Sequence, residues 1–186
     1  LHPGTFYFVT TGATTIPISA TVPDNDSGRL YRLVLDAADP SAPATIEMVW
    51  QGGPDTGVSY DNITVNHHGE VIIQEDRTAA GITIMAQQQR YARVLQYNIA
   101  TDSATFLFEA NQAAITPEFA SDYGNWETSG IIEVEPEAFD GRSSYLLSVQ
   151  AHTIPDVRYL QGGQILLTVP VVPEAYIPAI QTAANE

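Results

Sequence analysis

One pattern constrains this chain more than any other, because it occurs twice. The segment 29–36 (RLYRLVLD) is followed by 44–48 (ATIEM), and the segment 93–99 (RVLQYNI) by 104–108 (ATFLF), so the copies open at positions 29 and 93, 64 residues apart. Each copy is an alternating apolar strand, a turn of small and polar residues, and a second alternating strand, which reads as an antiparallel hairpin. A looser version runs from Gly130–Val134, through a polar turn, to Ser144–Val149. Hairpins recurring at intervals of tens of residues are the mark of radial β architectures. The expected fold is therefore all-β, with antiparallel four-stranded blades arranged as part of a β-propeller.

The count of units limits that expectation. With an opening strand at Thr5–Thr10 and a late one at Gln164–Val169, 186 residues supply about three blades, whereas a propeller closes with ~4 or more. The chain opens at Leu1 inside strand-forming sequence, so it reads as a piece of a larger protein: residues 1–170 a partial propeller, 171–186 an extended tail. The expected partner is the rest of the same ring, as another chain or another segment. The alternative is a self-contained β-sandwich of short strands. Helix is scarce, and 79–90 reads either as a helix or as an inserted loop.

Seven Lys and Arg stand against 22 Asp and Glu, a net charge of −15. A field of that sign repels phosphate backbones and anionic bilayers and attracts cations, so nucleic acid is excluded as a partner. No apolar run reaches the ~20 residues of a membrane span. With no cysteine, the chain makes no internal disulfide and no thiolate metal site.

The candidate chemistry gathers where strands end. Segment 60–77 reads as a strand, a turn at His67-His68-Gly69 and a second strand ending in Glu75 and Asp76, a geometry that brings Asp61 and Asn62 alongside those two acids. Oxygen donors at that density suit a hard cation such as calcium, which takes ~6 to 8 oxygen ligands. The competing reading makes Asp61 and Asn62 turn formers, with Glu75 or Asp76 paired to Arg77 or Arg90. Glu127, just ahead of the third hairpin, and His152, at the end of an apolar strand, are further candidates. His152 reads first as a structural histidine and second as a metal ligand or acid–base group. The segment Asp24-Asn25-Asp26-Ser27-Gly28 has the look of a calcium loop but lacks its later glutamate, and reads as a surface turn. His67 and His68 read as ordinary turn residues.

These residues also carry a resemblance. Segments 2–12 (HPGTFYFVTTG) and 28–33 (GRLYRL), Asp61-Asn62 with Gly69 and Glu75-Asp76, 127–130 (ETSG) and 146–152 (LLSVQAH) occur in an order similar to the later part of the PhoX-type alkaline phosphatases and their bacterial relatives. The resemblance implies a secreted, periplasmic or extracellular bacterial β-propeller. It implies calcium in a central channel, joined by iron in some members, and metal-dependent hydrolysis of a small phosphomonoester. Carried over, it makes Glu75 the leading metal ligand, Glu127 and Asp76 the next, Asp61, Asn62 and His152 supporting groups, and Arg77 the candidate phosphate contact. No residue is assigned as the catalytic group. The alternative function is a non-catalytic, calcium-stabilised interaction module of the cell envelope.

Overall fold

The computed structural model describes residues 3–12, 27–114, 117–154 and 162–169. The tail at 171–186 and the acidic part of the 24–28 turn lie outside the described residues. Among the described residues, ten strands form three antiparallel sheets, each built from consecutive strands, and none of these closes on itself. The first holds β1 (Thr5–Thr10), β2 (Arg29–Val34) and β3 (Thr45–Gln51). The second holds β4 (Tyr60–Val65), β5 (Glu70–Glu75), β6 (Arg93–Asn98) and β7 (Ser103–Glu109). The third holds β8 (Trp126–Val134), β9 (Ser144–Ala151) and β10 (Gly162–Thr168). The all-β expectation agrees with this. The expectation of four strands per sheet is met only in the second; the outer two have three among the described residues.

The repeated sequence is a repeated structure. Copy one becomes the β2–β3 hairpin and copy two the β6–β7 hairpin, and the register of each slips at the same place, between Leu30 and Tyr31 and between Val94 and Leu95. A bulge kept at equivalent positions bends both hairpins alike.

Alternation along the strands decides the packing. Val71 and Ile73 of β5, with Leu95 and Tyr97 of β6, form one core with Leu30, Tyr7 and Trp50 of the first sheet. Ile72 and Val94, one residue out of phase, form a second core with Trp126, Tyr145, Leu147 and Val149 of the third sheet. The middle sheet is thus covered on both faces, which is why 71–73 reads Val-Ile-Ile instead of alternating with polar residues. The first strand of the middle sheet, β4, touches both β1 and β8. Three sheets stacked in chain order differ from the paired sheets of the sandwich alternative.

The ambiguous stretch after β5 is a helix, α1 (Ala79–Gln87). Thr78 caps it, its hydroxyl accepting from the Gly81 N–H at 2.9 Å and sharing a 2.6 Å hydrogen bond with Ser59. Met85 anchors it against Val58 and Ala92. No helix among the described residues is long and apolar enough to cross a membrane.

Candidate metal centre

β4 and β8 begin, and β5 and β9 end, at one end of the stack, so this end collects the strand-terminal residues singled out in the sequence. The hairpin end is closed by the Asp76 N–H donating to the Ser59 carbonyl at 2.8 Å. Tyr60 pairs with Glu75, but the register slips before Ile63 pairs with Ile73, leaving Asp61 and Asn62 on the irregular part of β4.

Glu75 does not join the other acids. Its carboxylate is fully buried. Arg90 grips it with two prongs, Nη1 to Oε2 at 2.6 Å and Nη2 to Oε1 at 2.8 Å. The Val58 N–H donates to Oε1 at 2.7 Å and the Arg93 N–H to Oε2 at 2.8 Å. Four donors occupy the roughly four lone-pair sites of a carboxylate, which leaves none for a metal ion. The leading ligand expected from the sequence is thus a buried structural anion, and the pairing with Arg90 is the one realised. The reason is strand alternation: Glu75 shares the face of Val71 and Ile73, whereas Asp76 follows the strand's end.

Asp76 and Glu127 do meet, across the junction of the second and third sheets. Burial, and next the hydrogen bond and charge of Glu127, push the Asp76 carboxyl up to about 7. Two carboxyl groups this close hold one proton between them more readily than two negative charges. The Arg77 N–H donates to Glu127 Oε2, and His152 Nε2 stands 3.1 Å from Glu127 Oε1. Asp61 lies near enough to Asp76 that burial first, and then the Asp76 charge, raise its carboxyl too, against the Asn62 amide that donates to it at 2.5 Å. The same Asn62 nitrogen reaches Ser129 Oγ of β8 at 3.2 Å. The exposed Arg77 side chain donates through Nε to Asn125 Oδ1 at 3.1 Å, and Asn125 in turn donates to Asp122 Oδ1. Six of the seven expected residues therefore gather here: Asp61, Asn62, Asp76, Arg77, Glu127 and His152.

The donor chemistry fits a hard cation in part. Glu127 raises the Asp76 carboxyl and Asp76 raises that of Asp61, each after burial, and Asp122 Oδ2 is buried without a hydrogen-bond partner. Concentrated negative oxygen of this kind is relieved either by a proton or by a metal ion. Among the described residues no three His, Asp or Glu side chains stand together as a group that could hold a metal ion. A bound calcium ion would need further oxygens from water or from elsewhere in the protein.

Two features of the opposite end were not anticipated. His67 is tied to the third sheet: its Nδ1 lies 2.6 Å from Glu133 Oε1, its Nε2 lies 3.2 Å from the Gly141 carbonyl, and its N–H donates to Glu133 Oε2 at 2.7 Å. The signal lay in Glu133, an acid on the third hairpin that only the tertiary fold brings to the turn. The second feature is a cavity beside His68. Comparison with protein-family models, curated proteins and solved structures returned no match.

Proposed function

We propose that this chain is a three-sheet portion of a PhoX-like β-propeller whose acidic end holds calcium through Asp76, Glu127 and Asp61, and that the bound ion serves phosphomonoester hydrolysis in the complete protein. One arrangement carries the reading: Asp76, at the end of the second sheet, is within hydrogen-bonding reach of Glu127 of the third, and the two would share a proton. A divalent ion would take the proton's place. Asn62 and His152 would orient the ligands, and Arg77, whose exposed side chain lies at the same end, would meet a phosphate oxygen. When bound, the ion would neutralise the ester's oxygens and steady charge developing on the leaving group. The repeated, identically bulged hairpins and the contacts of β4 with β1 and β8 support the propeller. Secretion or export follows from the same reading.

The second reading, a calcium-stabilised module without activity, is favoured by the scarcity of cations at this end, where Arg90 is committed to Glu75. Calorimetric titration of calcium into the wild type, Asp76→Asn and Glu127→Gln tests the common part: both variants should lose affinity, and a wild type that takes up no calcium sinks the proposal. Turnover of p-nitrophenyl phosphate by the complete protein, with and without a chelator, separates the readings. Calcium binding without turnover leaves the structural module.

A further inference from the structure

A cavity lies away from the acids, at the end where the turns following β4 and β6 approach the first sheet. It measures about 500 Å³ and is walled by Tyr7, Arg32, Val34, His68, Asn98 and Ile99. That volume lies within the ~300–1,000 Å³ typical of small-molecule sites. The register explains its lining. Tyr7 pairs with Arg32 and Arg32 with Glu47, which puts all three side chains on the face that looks toward the middle sheet.

The walls divide by chemistry. Val34 and Ile99 are apolar. Asn98 is committed, its Oδ1 accepting from the Ala100 and Thr101 N–H groups at 2.9 and 3.1 Å while its Nδ2 donates to Glu70 at 3.2 Å. Arg32 gives one nitrogen, Nη2, to Glu47 at 2.5 Å, which leaves other donors of its five-proton fork. The Tyr7 hydroxyl stands beside it. The His68 ring packs tilted against His67, with centroids 3.7 Å apart and planes at 42°. In a chain of net charge −15, the walls of this cavity carry a guanidinium and an imidazole, and the carboxylate of Glu47 meets the guanidinium at Nη2 from outside the lining.

We infer that this cavity binds a small organic acid, with its carboxylate on Arg32 and His68 and its apolar body against Val34 and Ile99. The fork geometry of arginine suits a carboxylate, and the long-range field of the chain disfavours a dianion more than a monoanion. The site is independent of the metal centre, at the other end of the stack.

The test is a methyl and imidazole NMR titration of the full chain with hexanoate, 1-hexanol and hexyl phosphate. Hexanoate should shift the Val34 and Ile99 methyls and the His68 ring saturably and bind at least about tenfold more tightly than hexanol, a margin of ~1.4 kcal/mol. Arg32→Met, which keeps the side-chain stem, should abolish that preference, while Arg32→Lys should retain part of it. Equal binding of hexanoate and hexanol by the wild type, or no saturable shift at these three residues, overturns the inference. Tighter binding of hexyl phosphate than of hexanoate overturns the carboxylate assignment.

Discussion

Glu75 and Glu127 are both buried glutamates at one end of the same stack, yet their substitutions should fail in different ways. Glu75 neutralises Arg90 within the protein, so Glu75→Gln leaves a guanidinium buried without its charge partner, a change that costs about 3–5 kcal/mol in comparable sites. Urea denaturation should register that loss equally with and without calcium. Glu127→Gln should instead cost little stability and remove calcium affinity. Asp76 adds a pH signature. Its folded pKa, raised to about 7, means the folded chain favours the protonated form. The resulting stability is present at low pH and is lost as pH rises from the ordinary carboxylate range toward 7. Without calcium, Asp76→Asn should therefore stabilise the chain at pH 8 by roughly 1–2 kcal/mol once solvent screening is allowed for, and should gain nothing at pH 4. A melting series across that range checks it, and an equal gain at both pH values would contradict the shared proton.

At the scale of elements, the β4–β5 turn works as a latch between sheets. Both ring nitrogens of His67 face acceptors, the Glu133 carboxylate and the Gly141 carbonyl, and only the doubly protonated ring can donate to both. The Glu133 hydrogen bond leads in raising the His67 pKa, opposed by partial desolvation and aided by the charges of Glu133 and Glu137. For Glu133, burial pushes the pKa up, but hydrogen bonds from His67 and Ser143 outweigh it and leave the carboxyl below its usual value. The histidine's share of the latch is full below its ordinary pKa and is lost as pH rises through the raised one. The glutamate's share is present above its ordinary pKa and is lost as pH falls through the lowered one. Amides of the turn should thus exchange with solvent most slowly at mildly acidic pH and faster in alkali, once intrinsic rates are removed, and Glu133→Gln should flatten that profile and lower the His67 pKa in an NMR titration. Little of this was legible in the sequence. Strands and hairpins were, because their two-residue period is local. Which face of β5 meets another sheet is not local, and so Glu75 passed for a rim ligand although Val71-Ile72-Ile73 already signalled a strand buried on both sides.

Across the whole molecule, the two outer sheets each bury one face and leave the other apolar and open. Phe6, Ile46 and Met48, 53%, 62% and 47% exposed, share the outward face of the first sheet with Phe8, which stacks on Tyr31 at 5.2 Å. Ile132, Leu146 and Leu167 line up in register on the outward face of the third, beside Ile165. Neighbours cover both sides of the middle sheet, and its exposed large apolar residues, Phe106 and Leu107, lie on its edge strand β7. The all-β class and the hairpins of this pattern were legible in the sequence, but which faces are left uncovered depends on how the sheets stack, which no residue of the strands states locally. Contiguous exposed apolar surface of this size drives association unless a partner covers it. The isolated chain should therefore sediment as concentration-dependent oligomers despite its charge, and Ile46→Lys together with Ile165→Lys should return it toward the monomer while leaving its circular dichroism unchanged. Sedimentation of the wild type as a monomer at every accessible concentration would mean that these faces are tolerated as they stand, and the proposal of a larger ring would lose its physical motive.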